Sequence, residues 1–207
     1  RAPKNNRKAK SAAAGDVRII GGQFKRPDRL RETLFNWLLA DIHDAHVLDS
    51  CAGSGVLGFE ALSRGAAHTT FIEINPAQSN MLRQSAEQLR LEAAAYQIFT
   101  GTAEQVLRQE HLTARPFDIV FIDPPYAQDL WQPILTALIT NTLINTKTLI
   151  YLEADKDLAA QLKQLEASLN ENLDPQSSVT QQLIAFECLK QTKVGQVVAG
   201  LYRLSSS

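Results

Sequence analysis

Val47-Leu48-Asp49-Ser50-Cys51-Ala52-Gly53-Ser54-Gly55-Val56-Leu57-Gly58 decides the fold. A short apolar strand enters a glycine-rich turn, and the turn opens a helix read from Val56 to Arg64. Gly53-x-Gly55-x-x-Gly58 has the spacing of a dinucleotide fingerprint, whose glycines allow a tight turn, a close backbone approach and close helix–strand packing. Glu73 follows Gly53 by 20 residues, at the end of the next strand (Thr69 to Ile74). An acidic side chain there takes ribose hydroxyls. A nicotinamide cofactor is one ligand that would satisfy this pattern.

Asp49 tilts the reading toward S-adenosylmethionine. A carboxylate at the mouth of the first strand repels a pyrophosphate approaching a helix N-terminus, but suits the cationic end of an amino acid. A second reading makes Asp49 a cap for the turn. Thr102-Ala103, after the third strand, either flank an adenine or merely cap a helix. Cys51 reads as packing around the cofactor.

Outward from the turn, strands and helices alternate. Helices are expected at Pro76–Arg90, Ala103–Gln109, Leu130–Thr140 and Leu158–Leu169, and strands at Tyr96–Thr100, Phe117–Ile122 and Thr148–Glu153. This alternation predicts an α/β fold with a mainly parallel, doubly wound sheet. Two closing strands, Gln182–Gln191 and Gln196–Leu204, are too closely spaced for a crossover helix and must form an antiparallel hairpin, making a sheet of seven strands. The polar stretch Asn170–Ser178 reads as a loop.

Asp123-Pro124-Pro125-Tyr126 ends the buried run Phe117-Asp118-Ile119-Val120-Phe121-Ile122. Two prolines stop the strand and stiffen its exit. The resulting shelf offers a carboxylate and an aromatic ring at a strand's carboxyl end. A planar base fits it, its ring stacked on Tyr126 and its exocyclic amine donating to Asp123 and the Pro124 carbonyl. Asp123, Pro124 and Tyr126 are therefore the candidate catalytic residues, with Pro125 beside the substrate. A nicotinamide enzyme has no evident use for such a shelf.

Composition is that of a globular domain, 44% hydrophobic and 21% charged. No apolar stretch approaches a membrane span of roughly 18 residues. Two cysteines, Cys51 and Cys188, show no metal-ligand spacing; this argues against a disulfide framework or a metal and makes the cytoplasm the expected compartment. The net charge of −1 conceals an asymmetry, because residues 1–31 carry +8 and the remainder −9. Such a basic arm is either a solvated tail or a polyanion contact. Three regions are expected: a basic disordered tail at 1–15, a hairpin and helix extension at 16–41 as a probable RNA contact, and a cofactor-binding domain at 42–207. In the extension, Val17–Ile20 reads as a strand. Asp28–Ala40 reads as a helix capped by Asp28, with Leu30, Leu34, Trp37 and Leu38 on its apolar stripe.

Several stretches in one order carry a family resemblance. They are Arg18-Ile19-Ile20-Gly21-Gly22, Arg31-Glu32-Thr33-Leu34-Phe35-Asn36-Trp37-Leu38, Leu48 to Gly55, Glu60-Ala61-Leu62-Ser63-Arg64-Gly65, Asp123 to Tyr126, and Lys193-Val194-Gly195-Gln196 through Arg203. From about Arg18 to Arg203 the chain closely resembles the bacterial 16S rRNA (guanine-N2)-methyltransferase D family. The resemblance implies a Rossmann-like class I methyltransferase fold and S-adenosylmethionine as donor. It also implies, as acceptor, the exocyclic N2 of guanine 966 in the 16S rRNA of the small ribosomal subunit. The same shelf would serve adenine N6 or cytosine N4, which stands as the alternative chemistry.

Carried over by position, Asp49, Gly53 and Gly55 would hold the methionine part of the donor and Glu73 its ribose, while Asp123 to Tyr126 would hold the base; Ala52 is a further candidate for cofactor binding. Arg18, Arg26, Arg29 and Arg31 are candidate RNA contacts. The chain departs from the family between Gly22 and Arg31, where only Gln23-Phe24-Lys25-Arg26-Pro27 precedes Asp28. The family's segment there is longer, so this one is either shortened or lacks a loop. Nothing in the sequence points beyond a monomer.

Overall fold

The computed structural model describes residues 28–124, 131–155, 157–172 and 183–205. The tail at 1–15, the strand expected at Val17–Ile20, Arg18, Arg26, Pro125 and Tyr126 lie outside them.

In chain order the elements are α1 (Asp28–Trp37), β1 (His46–Asp49), α2 (Val56–Ser63), β2 (His68–Glu73), α3 (Pro76–Gln88), a 3-10 turn (Ala93–Ala95), β3 (Tyr96–Thr100), α4 (Ala103–Leu107), β4 (Ile119–Ile122), α5 (Trp131–Thr140), β5 (Leu149–Ala154), α6 (Leu158–Glu171), β6 (Phe186–Val194) and β7 (Val197–Leu204). The seven strands form one sheet in the order β3-β2-β1-β4-β5-β7-β6. Pairs among β1 to β5 are parallel. β7 lies antiparallel to both β5 and β6. This is the doubly wound sheet with a terminal hairpin expected from the alternation of elements, and the Rossmann-like fold that the family resemblance implies.

The central strands are buried on both faces, which is why they read as continuous apolar runs. Successive residues divide between the faces. Val47, Ile119 and Tyr151 pack with Leu30 and Leu34 of α1 and Leu57 of α2. Their neighbours Leu48, Val120 and Ile150 pack on the opposite side with Val106 of α4, Leu135 of α5 and Leu162 of α6. α1 thus packs directly on the sheet. Phe35 of α1 meets Phe121 edge-on at 6.0 Å between ring centroids. The Arg64 guanidinium covers the other side of Phe35 at 4.9 Å, held by its 2.8 Å ion pair with Glu60. Phe59, Phe71, Leu82 and Ala86 seal α2 and α3 against β2.

The boundaries shift slightly from those expected. Asp28 is the first residue of α1, and tightened turns from Leu38 to Ile42 end that helix at Trp37. The one-residue shift at Asp28 is ordinary helix-end behaviour, and the C-terminal end falls three residues before the expected Ala40. β4 begins at Ile119, because the Phe117 N–H donates to the Leu143 carbonyl at 2.9 Å instead of to a strand ladder. α3 starts as expected, with Pro76 in its first turn and Asn75 Oδ1 accepting from Ala77 and Gln78 N–H at 2.9 and 3.2 Å.

Both outer strands are modified. β6 carries a register shift between Cys188 and Lys190. At the other edge the Arg83 guanidinium donates to the Ile98 carbonyl and the Thr100 hydroxyl of β3 at 3.4 and 3.5 Å. Among the described residues, no helix is long and apolar enough to cross a membrane.

Candidate active site

The strand order fixes where a ligand can enter. From β1 the chain leaves through α2 toward β2. From the adjacent β4 it leaves the other way, toward β5. Loops that diverge from neighbouring strands open a crevice at their carboxyl ends, the topological switch point of an open α/β sheet. Asp49 stands opposite Phe121 in the β1–β4 register. The glycine-rich turn and the Asp123-Pro124 exit therefore leave the sheet side by side. The Ser50 N–H and hydroxyl both donate to the Phe121 carbonyl, at 3.1 and 2.7 Å, and pin the two exits together.

The turn is built by its glycines and two acids. Gly55, the residue before α2, has φ +77°, a conformation that side-chain-bearing residues rarely adopt. Having no side chain, it cannot cap the helix. Asp49 does so from a distance: its Oδ2 accepts the Gly58 N–H, in the first turn of α2, at 3.0 Å. Gly58 lets the helix approach β2 so closely that an added Cβ would lie 2.2 Å from Phe71 Cε1.

Glu73 ties this turn to the next. Its Oε2 accepts the Gly53 N–H at 2.7 Å and its Oε1 the Asn75 N–H at 2.9 Å. A carboxylate has about four acceptor positions, so two remain for hydroxyl donors. Asp49 and Glu73 are 4% and 9% exposed. Ala52 is buried in the turn, its N–H donating to the Ile72 carbonyl at 2.9 Å. Thr102 caps α4, accepting the Gln105 N–H at 3.2 Å, and Ala103 begins that helix.

The Cys51 thiol is pushed up to about 12, first by burial and then by Asp49, with the Ser50 side chain opposing and Glu73 adding. It is therefore a neutral packing group at physiological pH, inert as a nucleophile.

On the substrate side, Asp123 is partly exposed and Pro124 buried at the end of β4. Arg29 is exposed and Arg31 partly exposed, both in the first two turns of α1. Glu153 was not singled out by sequence. It is a carboxylate 2% exposed near the carboxyl end of β5. The available signal was an acid inside the apolar run Leu149-Ile150-Tyr151-Leu152-Glu153-Ala154, in a strand whose neighbours bury both faces.

Elsewhere, a groove of about 480 Å³ runs over α5 between α4 and α6, lined in part by Arg108, Gln132, Thr136 and Ser168. It lies on the helix layer and shares none of the acids and glycines at the strand ends. Among the described residues, no cluster of His, Cys, Asp and Glu is arranged to hold a metal ion.

Comparison with known proteins agrees with this architecture. The family described as Conserved hypothetical protein 95 matches residues 17–180. The ribosomal RNA small subunit methyltransferase D of Haemophilus influenzae is 37% identical over 159 residues, covering 70% of this chain and 82% of the relative. The protein of the same description from Escherichia coli K12 is 39% identical over 163 residues, covering 72% and 80%. The solved structure of yhhF from Escherichia coli superposes with a TM-score of 0.68 at 34% identity, covering 93% of this chain and all of that one. With that match in sequence and in three dimensions, the chain belongs to the ribosomal RNA small subunit methyltransferase D family.

Proposed function

We propose that this methyltransferase transfers a methyl group from S-adenosylmethionine to the exocyclic N2 of guanine 966 in the 16S rRNA of the small ribosomal subunit. The single observation that carries the reading is the register of β1 and β4, which opens the Gly53–Gly55 turn and the Asp123-Pro124 exit onto one crevice. Family membership supports the acceptor class, since the relatives are described as small-subunit ribosomal RNA methyltransferases.

The residues present fit the donor. Asp49, Ala52, Gly53 and Gly55 would hold its amino-acid part, Glu73 its ribose, and Thr102 and Ala103 its adenine. The electrostatics disfavour a dinucleotide. The N–H groups of Ala52, Gly53, Gly55 and Gly58 are spent on protein oxygens, two of them on carboxylates. An anion-binding turn needs such groups free and no acid beside them. When bound, S-adenosylmethionine supplies an electrophilic methyl group on a positively charged sulfur.

The protein's task is then to prepare the amine. Guanine N2 is a poor nucleophile because its lone pair is delocalised into the ring. Asp123 and the Pro124 carbonyl would accept its two hydrogens and turn the lone pair toward the methyl carbon, an orientation effect. As the amine nitrogen takes the methyl group, positive charge would build on it and one of its protons would pass to Asp123 or to solvent. Asp123 counters that charge. Pro125 would lie beside the substrate, and Tyr126 would supply a stacking face worth about 1–3 kcal/mol. A base within helical RNA must first be turned out of its stack. The segment before residue 42 would serve as the RNA-contacting extension of the domain at 42–207, with Arg18, Arg26, Arg29 and Arg31 on phosphates that set register and carry no base identity.

Tritiated methyl transfer to 30S particles and to protein-free 16S rRNA, followed by nucleoside mapping, tests the acceptor. Label in N2-methylguanosine at position 966 is expected. Label in N6-methyladenine or N4-methylcytosine would refute the guanine assignment. Asp123→Ala should abolish transfer while S-adenosylhomocysteine still binds; normal turnover would remove Asp123 from the mechanism.

A further inference from the structure

Glu153 has no part in the mechanism above, yet it stands beside it. Ile122 of β4 is opposite Leu152 of β5. The residues that follow are Asp123, the first past the end of β4, and Glu153, still within β5; they extend a pair of strands that run about 4.8 Å apart, which sets the two acids side by side. Glu153 is 2% exposed, and burying a carboxylate is costly unless it is bonded and held. Its Oε1 accepts the hydroxyl of the equally buried Tyr151 at 2.5 Å. The Tyr151 ring meets Phe121 edge-on at 6.4 Å, and Phe121 precedes Asp123 by two residues. The same aromatic packing thus braces the Glu153 clamp and the strand that delivers Asp123.

We propose that Glu153 is a positioning residue for methyl transfer. Clamped by Tyr151, its fixed charge backs the Asp123 ledge and stabilises the positive charge that grows on the amine nitrogen, acting by field and not by contact. A charge held in place before reaction needs no reorganisation when the transition state forms. The inference rests on the methyl-transfer reading of the crevice.

Single-turnover transfer to 30S particles, compared among wild type, Glu153→Gln and Glu153→Asp, tests it, with S-adenosylhomocysteine affinity measured by calorimetry. Glu153→Gln keeps the shape and an acceptor for Tyr151 but loses the charge. Its rate constant should fall about tenfold while donor-site affinity and RNA half-saturation stay within about twofold, the pattern of an interaction made only in the transition state. Glu153→Asp keeps the charge and should lie between the two. A purely structural role would reduce the active fraction, read as product amplitude, and leave the rate constant of the active enzyme unchanged. A Glu153→Gln rate constant within about twofold of wild type, or a fall in Glu153→Asp as large as in Glu153→Gln, overturns the proposal.

Should Glu153→Gln fail to fold, Tyr151→Phe carries the test. Loss of the clamp must slow transfer, and an unchanged rate constant overturns the role. If wild type labels a base other than guanine 966, the acceptor assignment falls, while the rate ratio on the product formed still decides Glu153. If wild type transfers no methyl group, both fall.

Discussion

Gly58→Ala tests whether the α2–β2 contact is as close as the geometry requires. An alanine Cβ at this position would lie 2.2, 2.7 and 3.0 Å from three ring carbons of Phe71. That ring cannot swing away, because Phe71 is fully buried and packed 4.7 Å from Phe59. Relief therefore requires the helix and strand to separate by roughly 1 Å, and overpacking on this scale costs about 1–3 kcal/mol. Alanine's better helix propensity returns at most about 1 kcal/mol. Taking the crowding near its upper limit, the net loss is about 2 kcal/mol. For a chain of this size that lowers Tm by roughly 4–8 °C. The same displacement would stretch the 3.0 Å bond from the Gly58 N–H to Asp49 beyond bonding range, so S-adenosylhomocysteine affinity should fall about tenfold, the scale of one lost charge-assisted bond. Thermal unfolding by circular dichroism and calorimetric titration read the two effects. A Tm equal to or above wild type refutes the packing argument, and a Tm loss with unchanged affinity refutes the link from Gly58 through Asp49 to the donor.

Two further predictions concern titration and reactivity. With its thiol pushed up to about 12, Cys51 should resist a thiol reagent in the folded protein at about pH 8, near the ordinary thiol range, while exposed Cys188 reacts at once; equal labelling of both would contradict the burial of Cys51. His68 is held below its usual value of 6.5, first by burial and then by the ring of His46 stacked 5.9 Å away. The unfolded chain therefore takes up this proton before the folded one. Stability should be retained above pH 6.5 and decline as pH falls toward the folded value. His68→Asn should flatten Tm against pH below 6.5, and an unaltered slope would exclude His68 as the source.

Much of this was legible in the sequence because local chemistry dictates it. Gly53, Gly55 and Gly58 announce a turn and a close helix–strand approach wherever they occur at that spacing. The apolar runs around Val120 and Ile150 announce strands covered on both faces. The short gap before Val197 forces a hairpin. What could not be read depends on which strands become neighbours. In sequence Asp49 reads either as a donor contact or as a cap, and the cap spans nine residues to Gly58, because Gly55 has no side chain for that duty. Its part in holding the donor is a separate proposal. Glu153 passed as an ordinary strand residue, since only the β4–β5 register sets it beside Asp123. The pairing of His46 with His68 likewise requires two strand starts to align.

The treatment of the sheet's two rims has a consequence for how the molecule behaves in company. On one side Arg83 occupies a β3 carbonyl that a visiting strand would need. On the other, the irregularity at Cys188–Lys190 breaks the even spacing that a foreign backbone would have to match, and exposed Lys190 and Lys193 discourage a second copy from docking there. Among the described residues, both rims are poor templates for growth of the sheet by a foreign backbone.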